Sequence, residues 1–189
     1  VVCVGCGPSS PQEKAIAAIK KLGGHLETDE NKDVTHVSLR GAQVTDADLA
    51  DLGVLKKLVG LDLNWTKVTD AGLKHLKGLT NLTSLYLFFN TKVTDAGLEH
   101  LRGLTNLTAL WLNDTKVTDA GLAYLKGLTK LQSLNLSRTK VTDTTLVHLK
   151  GMTELQSLYL TDTKVTDAGL GHLKRLELES LSIGGAKIT

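Results

Sequence analysis

The sequence has no large excess of either charge. Lys and Arg number 22 against 20 Asp and Glu, a formal net charge of +2, so neither nucleic acid nor an anionic membrane is its default partner. No apolar run approaches the roughly 18 residues that a membrane-spanning helix requires. The marks of catalysis are missing too: there is no glycine-rich phosphate loop and no Gly-x-Ser-x-Gly elbow. Nor is there a paired-carboxylate or Cys/His arrangement outside a set of repeating positions. Aromatic residues are only 4% of the chain, and its two prolines, Pro8 and Pro11, both precede residue 12. What is abundant is leucine, with 37 residues, and threonine, with 23. A hydrophobic fraction of 41% is too high for a disordered chain, and 189 residues suit one domain or one short repeat array but not two ordinary domains.

The leucines and threonines recur with a period of 24. The segment that starts at Leu55 returns at Leu79, Leu104, Leu128 and Met152, a weaker copy starts at Asn31, and a partial copy runs from Leu176 to Thr189. One extra residue, placed at Phe88-Phe89-Asn90, makes the unit from Leu79 to Gly103 a 25-mer. The first half of each unit ends in Leu-x-Leu, the alternation of a half-buried strand, with Leu61 and Leu63 pointing in and Asp62 out. The second half, Val-Thr-Asp-Ala-Gly-Leu-x-His-Leu-Lys-Gly, reads as a short helix. Thr69 or Asp70 caps it, Leu73 and Leu76 share one face, Lys77 suits its negative end, and Gly78 stops it in a left-handed conformation.

A unit of this size cannot bury its leucines alone, so neighbours must stack. Strands in a sheet lie about 4.8 Å apart and helices are about 10 Å thick, so the stack bends with its parallel sheet on the inside. Thr66, Thr91, Thr115, Thr139 and Thr163 form a column, replaced by Ala42 and Ala186 at the ends, whose hydroxyls are expected to donate to the backbone of an adjacent turn.

With these residues in view the chain resembles the leucine-rich repeat family over about residues 31 to 189, as six full units and a partial seventh. The Thr-x-Val-Thr-Asp-Ala-Gly-Leu-x-x-Leu half is similar to bacterial 24-residue repeats and to the cysteine-containing subtype of F-box substrate receptors, which carries Cys or Asn where this chain has Thr. The resemblance implies an α/β fold, a right-handed solenoid or horseshoe with the parallel β-sheet concave and short helices convex, and a protein-interaction scaffold. No F-box is visible.

Ahead of the array, Ser10-Pro11-Gln12-Glu13 fits a capping box with proline at the first helical position. A helix over about 11 to 22 is expected to cover the first unit, and His25 to Glu27 to pair as a strand with Val34 to Leu39. The division is therefore a tail at 1–10, a cap at 11–30 and the array at 31–189. The tail, Val1-Val2-Cys3-Val4-Gly5-Cys6-Gly7-Pro8-Ser9, resembles the lipobox of a bacterial lipoprotein, with Cys6 as the lipidated residue. Cys3 departs from the usual aliphatic residue, and a Cys3/Cys6 redox or metal pair and two inert thiols stay open as rivals. An extracytoplasmic, membrane-anchored location is favoured over a cytoplasmic one on this reading, the lipid being the only contact with a membrane.

In a stacked array a residue repeated in every unit serves the stacking, and one that varies is free to serve a ligand. The outward strand positions carry Ser38, Asp62, Tyr86, Trp111, Asn135, Tyr159 and Ser182. The next outward column carries Arg40, Asn64, Phe88, Asn113, Ser137 and Thr161, followed by Trp65, Phe89, Asp114, Arg138 and Asp162. Six of the seven aromatics thus fall on or beside the concave face, and only Tyr124 does not. Cross-strand stacking of aromatics is the structural alternative. Because the interior is built from Leu and Val, a binding surface is the preferred reading. Its anchors would be Trp111, Tyr86 and Tyr159, with Trp65, Phe88 and Phe89 at one margin and Asp62, Asn113, Asp114, Asn135 and Arg138 fixing orientation.

The repeated His75, His100, His148 and His172 lie too far apart, about 10 Å per helix, to share one metal ion. The column of Lys67, Lys92, Lys116, Lys140, Lys164 and Lys187 is expected to be neutralised by Asp70, Asp95, Asp119, Asp143 and Asp167. The expected function is non-catalytic binding of a protein or peptide, with no cofactor, no metal and no nucleic acid. A carbohydrate-binding surface, a substrate receptor of an F-box-like ubiquitin ligase and end-to-end self-association through Leu178, Leu181 and Ile183 remain as alternatives.

Overall fold

The structure, a computed structural model, describes residues 10–185. Cys3, Cys6, Ala186 and Lys187, and with them the lipidation expected at Cys6, lie outside the described residues.

A helix opens the fold. In α1 (Pro11–Lys21) the Ser10 hydroxyl accepts from the Glu13 N–H and the Glu13 carboxylate accepts from the Ser10 N–H, with Pro11 in the first turn. Gly23, at φ 74°, turns the chain into β1 (His25–Thr28). This strand pairs antiparallel with β2 (Val34–Ser38), Leu26 opposite Val37.

From β2 onward strands and short helices alternate: α2 (Asp48–Leu52), β3 (Gly60–Asp62), α3 (Asp70–Leu73), β4 (Ser84–Tyr86), α4 (Asp95–Glu99), β5 (Ala109–Trp111), α5 (Asp119–Leu122), β6 (Ser133–Asn135), α6 (Asp143–Leu149), β7 (Ser157–Tyr159), α7 (Asp167–Leu170) and β8 (Ser180–Ser182). The strands form one sheet in sequence order, parallel from β2 to β8. The register holds throughout: Asp62, Tyr86, Trp111, Asn135, Tyr159 and Ser182 are successive partners. Such crossovers are right-handed, and the narrower spacing of strands than of helices makes the sheet the concave side. The leucines fill the space between the layers as one continuous cluster.

Two ladders, each different from its sequence-based expectation, hold the units together. In the first, the Asp of one unit grips the threonine that caps the next helix. Asp46 accepts from the N–H and hydroxyl of Thr69, and the pairs Asp70–Thr94, Asp95–Thr118, Asp119–Thr142 and Asp143–Thr166 repeat this, all at 2.6–2.8 Å. Thr69, Thr94, Thr118 and Thr142 in turn cap their own helices. These aspartates are therefore not paired with the lysine column: the two ion pairs among the described residues are His36–Glu27 and Arg138–Asp114. The ladder also explains the Gly that stands two residues after the Asp in four of the units. A Cβ at Gly72, Gly97, Gly121 or Gly169 would come within 2.5 Å of the gripping carboxylate. Gly78 is not left-handed; among the described glycines only Gly23, Gly41 and Gly185 have positive φ.

The second ladder is the threonine column, and Thr91 is not in it. Asn90 takes that place, fully buried, and Thr91 is exposed. The extra residue of the 25-mer therefore sits at Thr91-Lys92, past the aromatic rings and not among them. The hydroxyls of Thr66, Thr115, Thr139 and Thr163 donate to carbonyls three residues back in their own unit, not to an adjacent turn. Only Asn90 reaches across: its amide donates to the Leu63 carbonyl and its Oδ1 accepts from Thr66, both at 2.8 Å.

Candidate binding surface

On the sheet face opposite the helices one column is set by the strand register, and two more follow in the residues just past the strand ends. Tyr86, Trp111 and Tyr159 share the column that begins with Ser38 and Asp62, and all are half-buried. Tyr86 and Trp111, one strand apart, meet edge to face at 5.1 Å. Neighbouring strands lie about 4.8 Å apart, so side chains at one register must touch if they are large.

Just beyond the strands the chain turns sharply. The residue at the turn adopts a left-handed conformation in unit after unit: Trp65 (φ 60°), Phe89 (62°), Asp114 (58°), Arg138 (55°) and Asp162 (55°). Each donates its N–H to a carbonyl in the following unit, Trp65 to Phe88, Phe89 to Asn113, and onward to Gly184. Cross-unit bonding therefore holds the conformation in place. At both ends of the array the same turn uses glycine, Gly41 at φ 71° and Gly185 at 72°. This column carries side chains of two kinds. Trp65 and Phe89 stack at 4.3 Å with planes 24° apart, and Phe88 meets both edge-on. Asp114 and Arg138 form a bidentate pair at 2.7 and 2.8 Å, which, with the charge of Asp162, holds the Arg138 guanidinium above its ordinary pKa.

The remaining expected site residues divide. Asp62 accepts from the Asn64 N–H and Asn135 from the Ser137 N–H, so each shapes its own turn as well as facing outward. Asn113 is only 7% exposed, and its Oδ1 is buried without a hydrogen-bond partner. The Ser137 N–H is held within its own unit by Asn135, whereas the equivalent Phe88 N–H donates to Asn64. Asn113 is thus a buried residue, not a surface contact. On the opposite face His75, His100, His148 and His172 are half-buried, and among the described residues no group of three His, Cys, Asp or Glu could hold a metal ion. Burial, followed by the charge of Lys126, lowers the pKa of His148.

One feature was missed by sequence reasoning. At the β1 end of the face, Gly60 stands in a column that carries His36 before it and Ser84, Ala109, Ser133, Ser157 and Ser180 after it, and a hollow of about 350 Å³ opens there between β1 and Tyr86. The glycine was the available signal, since nothing about its backbone conformation requires one.

Sequence comparison places the repeat in a known class. The family described as Leucine rich repeat matches residues 105–165, Leucine Rich repeats (2 copies) matches 80–127, and a further Leucine Rich repeat family matches 54–77, together more than half of the chain. The chain belongs to the leucine-rich repeat family. No curated protein matches it by sequence. Among solved structures, this leucine-rich repeat array is similar to internalin C2 of Listeria monocytogenes, at 23% identity with a TM-score of 0.66, covering 96% of this chain and 86% of that one. It is also similar to an internalin, inlF, of the same organism, at 25% identity and 0.62, covering 96% and 64%. The plant peptide hormone receptor RGFR1, solved in complex with RGF2, aligns at 22% identity and 0.51 over 72% of this chain and 22% of its own. The array thus spans most of one internalin but under two thirds of the other, and about a fifth of the receptor. These likenesses establish the solenoid fold.

Proposed function

We propose that this array is a non-catalytic scaffold that holds a protein or peptide partner against its concave face. One observation carries the reading: Trp65 and Phe89 hold left-handed backbone conformations that both end units give to glycine. A bulky residue there costs about 1–2 kcal/mol relative to an unstrained one. Cross-unit hydrogen bonds and ring stacking hold that conformation, and the two residues nevertheless remain 45% and 43% exposed. Strain retained at exposed aromatic rings is a feature of surfaces that meet something else. Tyr86, Trp111 and Tyr159 continue the same face, and a rigid sheet keeps the ordering cost of binding low. The complex of RGFR1 with RGF2, a likeness of fold alone, supports a peptide as the occupant.

Selection of displayed random peptides on the whole chain tests the reading, with a glycan array run beside it. Peptides whose binding is lost in Trp111→Ala and Trp65→Gly support it. Glycans that bind through the same rings, with no such peptide, would replace it with a carbohydrate-binding surface.

A further inference from the structure

The hollow at the β1 end of the face lies directly beside the Tyr86–Trp111 pair and has its own chemistry. It exists for two reasons. The antiparallel return of β1 sets Glu27 opposite His36, adding a row to the sheet before the repeats begin. Gly60, next to His36 in register, then leaves the floor open. A Cβ at Gly60 would stand 2.5 Å from the His36 ring, so the imidazole lies over bare backbone. Val37 and Leu61 lie along its floor with their side chains buried in the leucine interior, Tyr86 closes the side toward Trp111, and Glu27 and Asp62 supply the only formal charges of the lining, with histidine counted as neutral. At about 350 Å³ the hollow is at the small end of ligand pockets, which begin near 300 Å³. It has the size of a site for one side chain and not for a folded surface.

We propose that this hollow receives an arginine side chain of the peptide that the face binds, a proposal that rests on the reading above. Two carboxylates lining one hollow, Asp62 in register with Tyr86 and Glu27 on β1 at the far side, suit a planar guanidinium. Its fork of donors pairs with carboxylates and its flat face stacks on aromatic rings, neither of which a compact ammonium does as well. The Asp62 carboxylate is already oriented by the Asn64 N–H on Oδ1, and Glu27 is held near His36 Nδ1 at 3.6 Å. The first residues of the peptide would then lie along Tyr86 and Trp111, so the arginine would set its register on the sheet.

The test is an amide NMR titration of the whole chain with N-acetyl-arginine amide and with its neutral isostere, N-acetyl-citrulline amide. The proposal predicts saturable shifts confined to β1–β4 for arginine, with citrulline weaker by about tenfold, the loss of one charge-assisted contact. It predicts a similar loss in E27Q/D62N, in which Asn keeps the acceptor for Asn64, and no loss in Trp111→Ala. Equal binding of arginine and citrulline to the native chain overturns the proposal, whether or not the double variant folds. If displayed peptides depend on Trp111 while arginine shows no preference, the hollow falls and the scaffold reading stands. If arginine binds but no peptide depends on Trp111, the scaffold reading falls, and with it the claim that this site sets peptide register.

Discussion

The Asp119 carboxylate accepts from the N–H of Thr142 in the next unit at 2.8 Å and from its hydroxyl at 2.7 Å. A third donor, the Thr145 hydroxyl, reaches the same carboxylate. Thr145 stands where Gly72, Gly97, Gly121 and Gly169 stand in other units, the position closest to the gripping aspartate. Glycine avoids the carboxylate there, and threonine at this one position bonds to it.

Acid should expose this rung. Burial works against ionisation of Asp119, but bonds from the Thr145 and Thr142 hydroxyls and from both amides outweigh it and hold its pKa below the ordinary 3.8. A carboxylate depressed in the folded state adds stability that is fully present above its ordinary pKa and is lost as pH falls through the folded one. Asp119→Asn is therefore expected to lower stability by about 1–3 kcal/mol at pH 7. The gap to the native chain should narrow below about pH 4. Denaturant titrations at pH 7 and pH 3 check this, and a gap that stays constant with pH would show that the charge of Asp119 is not what the rung uses.

Two glycine substitutions should part company. A Cβ at Gly97 would meet Asp70 Oδ1 at 2.5 Å, whereas Gly103 has nothing within 4 Å. Gly97→Ala is expected to destabilise by about 1–3 kcal/mol by prising the rung open. Gly103→Ala should be neutral or stabilising by up to about 1 kcal/mol through the unfolded chain. Thermal melts of the pair decide the matter.

Asn90 is the one column residue that spans two units. Asn90→Ala removes both bonds that cross to the preceding unit and leaves the Thr66 hydroxyl and the Leu63 carbonyl with only each other, and should cost about 1–3 kcal/mol. Asn90→Thr should cost less, because Thr66, Thr115, Thr139 and Thr163 fill this column elsewhere. Equal losses in denaturant unfolding would mean that the cross-unit bonds contribute little.

Much of the fold was legible because the repeat states each requirement several times. Leu61, Leu85, Leu110, Leu134 and Leu158 occupy one register as their spacing demands. What escaped was what one unit does to the next. The role of Asp70 depends on Thr94, 24 residues away, so a local reading gave it to the nearby Lys67 instead. The extra residue reads as lying at Phe88-Phe89-Asn90 when Thr91 is set in the threonine column, whereas it is Asn90, a short polar side chain of the kind the similar subtype carries there, that fills the place. The left-handed column was readable only from its ends, where Gly41 and Gly185 align with Trp65 and Phe89. The hollow needed β1, whose antiparallel return lies outside the repeat.

The most direct measurement of the central claim is Trp65→Gly, read for both stability and binding of a selected peptide. The substitution gives the turn the residue that both end units use, so strain relief of about 1–2 kcal/mol should offset the lost stacking on Phe89 and Phe88, worth about 0.5–1.5 kcal/mol per ring pair. The account predicts a denaturation midpoint at or near that of the native chain, together with peptide affinity reduced at least tenfold. A variant that unfolds readily while binding peptide as well as the native chain would contradict it, since the ring would then belong to the scaffold and not to the surface that meets a partner.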